Sequence, residues 1–419
     1  MSIKLYEIKK VITSPVMIGL IAIFIAFNIF IIFDGTQSRS ELKILNKIVD
    51  KFGYKINDKM MVGFKLYYND QLKKLNETTF EKTSKTYKSA TELFSHDYNS
   101  GNIYKKEDIE FFNYVRVIEN YYYVAKDIDI NCKAVNIAAI GEGGISMFNL
   151  RGSVANTVRK QYAKLSIRFD KMKENGEYKN LFFIGKAYGM HAFLFSTLFK
   201  YLIYEIMILV VLITGYLMSY EFENKTHFVV YTTKRGRKLN KDKFYVAIFT
   251  SISVTTIIIG ISLGIYFSVV SYSGLWHVPI SSSFNWDNKL SYICWFDMSF
   301  IKYLFCFIGL VYACEILFVC ITFIISNFIK SSYMNFFIFA IIFGIVIIVP
   351  SFVPVNSNAI FPVHFTPFAL ILHSPVWFME KGVFTTFKYY EVDTIAVWVV
   401  ILLTLCGICI RKFKKQNLY

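Results

Sequence analysis

The chain has 419 residues, of which 55% are hydrophobic and 18% are charged, and its mean hydropathy is +0.42. These values exclude an ordinary soluble protein, in which about 25% of residues are charged, and they indicate a membrane protein. The formal net charge of +16 would suit a nucleic-acid-binding protein, but the basic residues flank apolar runs. A membrane explains the charge better, so we expect no nucleic-acid partner.

Six apolar stretches are long enough to cross a hydrocarbon core about 30 Å thick. The first runs to Asp34 with no small-residue cleavage site behind it, so we interpret it as a retained span and not as a signal peptide. The third to fifth stretches share residues 244–349. We therefore predict an α-helical polytopic membrane protein with six transmembrane helices at 16–33, 201–219, 244–270, 303–326, 333–349 and 394–410.

The distribution of basic residues predicts the orientation. The segments that flank the spans on one side are 1–15, 220–243, 327–332 and 411–419. They hold fifteen Lys and Arg residues, whereas the two short opposing loops, 271–302 and 350–393, hold four. The positive-inside rule then predicts a multi-pass protein of the cell membrane with both termini in the cytoplasm.

The long segment 34–200 is expected outside, as a mainly helical extracytoplasmic domain between the first and second spans. Four runs within it have apolar residues at helical spacing, the clearest being Val154, Val158, Tyr162, Leu165, Phe169 and Met172. Turns are predicted at Asn99-Ser100-Gly101 and at Gly141-Glu142-Gly143-Gly144. An anion-binding nest is the alternative for the second glycine cluster, but no G-K-[ST] sequence follows it.

Residues 2–14 predict an amphipathic helix. Leu5, Ile8, Val11 and Ile12 share an arc of about 120°, while the charged side chains point elsewhere. Within 1–15 we therefore expect a cytoplasmic interfacial helix that contacts membrane lipid. A frayed basic tail is the alternative.

The segment 220–243 joins the second and third spans and is longer than a chain reversal requires. It has an acidic start, an apolar centre and a basic end, a pattern that suits docking of a short helix in the groove of a partner. The competing explanation is a basic cluster that is attracted to anionic lipid. The candidate coupling residues are Glu221, Glu223, Phe228, Tyr231, Arg235 and Arg237.

Several of these residues also indicate a family. EFENKT at 221–226, TTKRGR at 232–237 and Lys243 resemble the inner loop of type-two ABC exporter permeases, in which a glycine is common where Lys225 stands. The sequence TSP at 13–15 and the proline-rich stretch 351–378 fit the same family. The resemblance covers 1–33 and 200–419 and does not include the outer segment.

The resemblance implies a permease subunit of an ABC exporter that moves a peptide-like or lipid-linked substrate outward. Its partners would be a cytoplasmic ABC ATPase subunit and a second permease subunit, identical or related. The outer loop 350–393 would carry short re-entrant helices. The chain has no G-x-x-x-x-G-K-[ST] motif, so ATP and Mg²⁺ are expected on the partner and this chain is not expected to be an enzyme.

Two other functions remain open. A sensor or accessory subunit for an extracellular peptide or antibiotic would share every feature except a transport path. A membrane enzyme, such as a lipid-linked sugar transferase that uses Asp34, is less favoured because no paired acidic motif follows this residue.

Two carboxylates lie within the predicted spans, Glu205 in the second and Glu315 in the fourth. A charge there costs about 2.5 kcal/mol or more, so each should be protonated, paired or turned towards a polar interior. For Glu205, interfacial pairing is an equal alternative to a functional role.

Gly260 and Gly264 form a G-x-x-x-G that favours close helix packing, with a dimer seam as the weaker alternative. No metal or catalytic site is expected, since H-E-x-x-H is absent and no two of the six histidines are three or four positions apart.

Overall fold

The computed structural model describes residues 3–37, 39–96, 103–181, 187–231, 233, 236–281, 293–380 and 382–415. This part of the chain is built from helices and contains no β-strand, only isolated bridges. The predicted all-helical fold class is confirmed.

Seventeen α-helices form the described part of the chain. They are α1 (Ile3–Ile12), α2 (Pro15–Gly35), α3 (Arg39–Phe52), α4 (Asp58–Thr83), α5 (Ala90–His96), α6 (Lys106–Lys126), α7 (Ile128–Ala134), α8 (Ile137–Met147), α9 (Gly152–Glu174), α10 (Ala187–Ala192), α11 (Phe199–Glu223), α12 (His227–Tyr231), α13 (Gly236–Val269), α14 (Phe300–Phe328), α15 (Ser332–Ile348), α16 (Pro367–Leu372) and α17 (Tyr390–Lys415). A π-helical turn, Phe193–Leu198, joins α10 to α11.

Within the described residues, six helices are long and apolar enough to cross a membrane, and each overlaps one predicted span. They are Pro15–Gly35, Gly189–Glu223, Lys238–Val269, Phe300–Phe328, Ser332–Phe352 and Tyr390–Lys415. The second lies at the centre of the bundle, because 78% of its most apolar window is buried. The first, fifth and sixth are peripheral, with 17%, 11% and 22% buried. Six such helices fit a multi-pass membrane protein.

The helical periodicities of the outer segment are confirmed. In α9 all six predicted core residues are buried: Val154, Val158, Tyr162, Leu165, Phe169 and Met172. Most of this core is continuous with the core of the spans, and a smaller cluster around Leu93 and Phe112 lies apart from it. The segment 34–200 therefore packs directly onto the bundle.

The turn predicted at Gly141-Glu142-Gly143-Gly144 is wrong, as is its anion-nest alternative, because these residues lie inside α8. A Cβ atom on Gly141 would stand 2.7 Å from Cγ of Tyr162, and one on Gly144 would overlap Val383. The glycines therefore allow α8 to approach α9 and the 382–389 loop closely. The other predicted turn, at residues 99–101, lies outside the described residues.

The segments predicted to be cytoplasmic meet at one end of the bundle. The contacts that join them include Lys10 with Glu221, Asn240 with Asn327 and Tyr231 with Phe413. At the opposite end of α13 and α14 the three segments predicted to be outside meet in the same way. Their contacts include Asn46 with Ser271, Arg168 with Cys294 and Tyr162 with Glu380. This separation is what the charge-derived topology requires.

Short helices lie in 349–376, where the family resemblance implies them. They are α16 and the 3₁₀ turns Val349–Phe352, Asn358–Ile360, Pro362–His364 and Ser374–Val376. Proline lies in the first turn of α16 and of three of these four turns, where its missing N–H has no intrahelical partner. Their entry into the membrane stays a prediction.

The orientation can be tested with single cysteines at Lys85 and Lys414, both exposed, on a background without the seven native cysteines. We expect an impermeant thiol reagent to label position 85 in intact cells and position 414 only after permeabilisation, because fifteen of the nineteen Lys and Arg residues in the tails and short loops lie on the side of Lys414. Labelling of position 414 in intact cells would show that the predicted topology is wrong.

Candidate functional site

Helix α1 is amphipathic in an unusual sense. It buries Glu7 and Val11, while Leu5 is 53% and Ile12 is 64% exposed. A soluble protein would bury the apolar residues and expose the charge. The arrangement suits a helix whose apolar side meets lipid and whose polar side faces the protein.

The buried polar side of α1 leads to a network of four charges at the predicted cytoplasmic end. Nζ of Lys10 lies 2.7 Å from Oε1 of Glu7 and 3.0 Å from Oε1 of Glu221. The other carboxylate oxygen of Glu221 pairs with Nζ of Lys243, which also donates to the carbonyl oxygen of Leu217. Two carboxylates and two ammonium groups give this ion network, Glu7, Lys10, Glu221 and Lys243, no net charge.

Each member of the ion network is almost completely shielded from solvent, since the four side chains are 8% exposed or less. Burial by itself lowers the pKa of Lys10, but hydrogen bonds to Glu7 and Glu221 outweigh it and raise the pKa above its ordinary value. Lys10 is therefore charged at neutral pH. Removal of one partner from such a group leaves a buried charge without compensation.

Helix α12 has a buried side and an exposed side. Tyr231 is 3% exposed, packs edge-to-face on Phe413 with ring centroids 5.2 Å apart, and donates a hydrogen bond of 3.3 Å to Oε2 of Glu221. Burial, and then the charge of Glu221, raise the pKa of Tyr231, so its hydroxyl stays protonated. Phe228 and Val229 are 60% and 74% exposed. The helix thus presents an apolar surface on one side, while Tyr231 on the other side attaches it to the bundle.

The backbone on both sides of α12 is constrained. Lys225 has a φ of +57°, a left-handed conformation that glycine adopts without the cost of about 1 kcal/mol or more that other residues incur. At the other side, a Cβ atom on Gly236 would overlap the carbonyl oxygen of Val230 and stand 2.8 Å from Cα of Tyr231. The start of α13 therefore packs directly on the backbone of α12.

The remaining predicted coupling residues lie in different surroundings. Glu223 accepts hydrogen bonds from the backbone N–H and the hydroxyl of Ser332, at 2.7 and 3.0 Å, and so connects α11 to the start of α15. Arg235 lies outside the described residues, as does the side chain of Arg237. The structure thus brings Glu221 and Tyr231 together, and it leaves the side chain of Phe228 on the exposed surface of the loop.

Glu205 is paired inside the bundle. Its Oε2 accepts a 2.7 Å hydrogen bond from Nδ2 of Asn28, which is fully buried in α2. Such a bond between two spans is a common use of an amide in a membrane helix. It connects the peripheral α2 to the central α11.

Glu315 is 2% exposed in the middle of α14. Among the described residues, neither of its carboxyl oxygens has a hydrogen-bond partner. A buried polar group without a partner costs stability, so packing does not account for this residue. Glu315 is therefore a candidate for a role other than packing.

We expect Glu315→Leu to raise the free energy of unfolding by about 1 to 3 kcal/mol, because it removes an unpaired buried polar group.

If the carboxyl group serves transport, Glu315→Leu and Glu315→Gln should both assemble normally and transport at least tenfold more slowly, as measured by flux in vesicles. Thr322→Val, two turns farther along α14 and equally buried, is the matched control. Normal flux in both Glu315 variants would leave Glu315 without a transport role.

Sequence reasoning missed three of the residues that form the ion network and the Glu205 pair. It treated Glu7 and Lys10 as charges that point away from the membrane, and it did not single out Asn28. One signal was present, since Asn28 is the sole amide in the apolar run 16–33. The pairing of Lys10 with Glu221 links residues 211 positions apart, and no local pattern indicates it.

Comparison of the chain with protein-family models, with curated proteins and with solved structures gives no significant match.

Proposed function

We propose that this chain is the transmembrane permease subunit of an ABC exporter, and that α12 is its coupling helix. The observation that carries the proposal is the two-sided structure of α12. Phe228 and Val229 offer an apolar surface of the kind that seats in a partner's groove, while Tyr231 on the other side is buried against the bundle.

The contacts on the buried side of α12 connect this helix to the rest of the bundle. Tyr231 contacts Phe413 in α17 and Glu221 in α11, and Glu221 pairs with Lys10 in α1 and Lys243 in α13. A displacement of α12 by a docked ATPase would therefore act on four helices together. Buried ion pairs resist separation because each charge left alone would be costly.

In this proposal ATP and Mg²⁺ bind to the cytoplasmic partner, and a second permease subunit completes the transport path. The substrate is peptide-like or lipid-linked, which suits the large outer segment 34–200, and it moves outward. Glu205 and Glu315 are two carboxyl groups that it would meet inside the bundle.

The docking role of α12 is testable with Phe228→Ala. Loss of a desolvated aromatic anchor should cost about 1 to 2 kcal/mol, which weakens binding of the co-purifying ATPase by about 5- to 30-fold. Isothermal titration in detergent would measure this affinity. Phe80→Ala is the matched control, because Phe80 in α4 is also a phenylalanine and is 58% exposed, close to the 60% of Phe228.

Tyr231→Ala serves as a second comparison. Because Tyr231 is buried within this chain, its removal should lower stability as well as coupling, whereas Phe228→Ala should leave stability unchanged. If Phe228→Ala and Phe80→Ala bind the ATPase equally, α12 is not the docking element, and attraction of the basic loop to lipid becomes the better explanation.

A sensor subunit is the second candidate. The continuous core between the outer segment and the spans would carry a signal from a bound extracellular peptide to the inner loop. Flux distinguishes the two functions: reconstituted vesicles with the ATPase should accumulate substrate for an exporter and should not do so for a sensor.

A further inference from the structure

An apolar groove of about 470 Å³ opens on the side of the bundle between α1, α2 and α13. Ile8 and Ile12 line it from α1, Ala22 from α2, and Phe249 and Ile257 from α13. Its two hydroxyl groups do not make it polar. Thr250 and Ser253 donate their hydroxyl protons to carbonyl oxygens of their own helix, at 2.8 and 2.9 Å.

Two lysines stand at one end of this groove. Nζ of Lys4 and Nζ of Lys241 lie 5.3 and 5.5 Å from the ring centroid of the half-exposed Tyr245. Lys4 is one helical turn before Ile8, and Lys241 is two turns before Phe249, so both helices carry their charge at the same end. In the described part of the chain, no carboxylate forms an ion pair with either lysine.

We propose that the groove binds a phospholipid with an anionic head group, its acyl chain between α1 and α13 and its phosphate at Lys4 and Lys241. The combination of an apolar channel with two cationic groups at one end matches the two parts of such a lipid. The groove lies beside α2, whose most apolar window is only 17% buried, so it opens towards the lipid phase. A lipid bound there would hold α1, and with it Glu7 and Lys10, against α13.

The head-group part of the proposal can be tested by native mass spectrometry of the full chain in detergent, titrated with dioleoyl phosphatidylglycerol or dioleoyl phosphatidylcholine. We expect the wild type to prefer the anionic lipid. Lys4→Gln with Lys241→Gln should weaken phosphatidylglycerol binding by about 30-fold, which corresponds to about 2 kcal/mol for two lysines. Lys9→Gln with Lys238→Gln removes the same charge from exposed positions of the same helices and should retain the preference.

The acyl-chain part is tested by filling the groove. Ala22→Phe should weaken binding of both lipids, whereas Ala26→Phe, one turn farther along α2 and not in the groove, should leave binding unchanged. Equal affinity of the wild type for both lipids, or an unchanged preference after loss of Lys4 and Lys241, would overturn the proposal. So would dissociation of a dimer by Ala22→Phe with lipid still bound, because a second copy would then occupy the groove. None of these measurements depends on the exporter function.

Discussion

Replacement of Lys243 by methionine should lower the free energy of unfolding by about 3 to 5 kcal/mol. Lys243 is fully buried and pairs with Glu221. Methionine removes the ammonium group but keeps most of the volume, so the ion network retains one uncompensated negative charge. Unfolding in SDS, followed by circular dichroism, would measure the loss.

A double-mutant cycle tests whether the cost comes from charge balance. Glu221→Gln alone should also destabilise, but Glu221→Gln with Lys243→Met should cost less than the sum, because Glu7 and Lys10 still balance each other. Lys238→Met, at an exposed position of the same helix, should change stability by no more than about 0.5 kcal/mol. An equally small effect of Lys243→Met would show that the ion network is not buried in the membrane-embedded protein.

If α12 is the coupling helix, as proposed, replacement of Gly236 by alanine should uncouple it from the bundle without altering its exposed surface. Because the added methyl group would overlap the backbone of Val230, α12 must shift away from α13. Overpacking of this kind costs about 1 to 3 kcal/mol, and substrate-stimulated ATPase activity of the reconstituted complex should fall at least tenfold. Stimulated hydrolysis by the purified complex in vesicles would measure the effect.

Gly260→Ala and Gly264→Ala are the matched controls. Both glycines lie inside α13, and an added Cβ atom on either one would meet nothing within 4 Å. In this chain they therefore do not provide the close packing that G-x-x-x-G favours, and alanine should slightly favour the helix. If Gly236→Ala couples as well as these two variants, the contact between α12 and α13 does not transmit movement.

The six spans and the outer helices were predictable because both depend on local patterns. A span needs about twenty apolar residues in a row, and a packed helix needs an apolar face at a spacing of three and four residues. The residues of α9 show this, since each predicted core position is buried. In both cases the information lies within one stretch of the chain.

Positions that depend on contacts between distant segments were not predictable in the same way. The Gly141–Gly144 cluster has the composition of a turn, but the approach of Tyr162 and Val383 makes it part of a helix. Phe228 and Tyr231 look alike in the sequence, yet the packing of Phe413 buries only Tyr231.

The sequence by itself therefore determined the helical class and the number of apolar spans, because hydropathy acts along the chain, and the orientation stays a prediction from the charges. Only the tertiary structure decided that Glu7, Lys10, Glu221 and Lys243 share one buried site. In a low-dielectric interior each of these charges requires a partner. Which residue can be that partner depends on which helices pack together. That choice depends on the packing of α1, α11 and α13, which no local pattern contains.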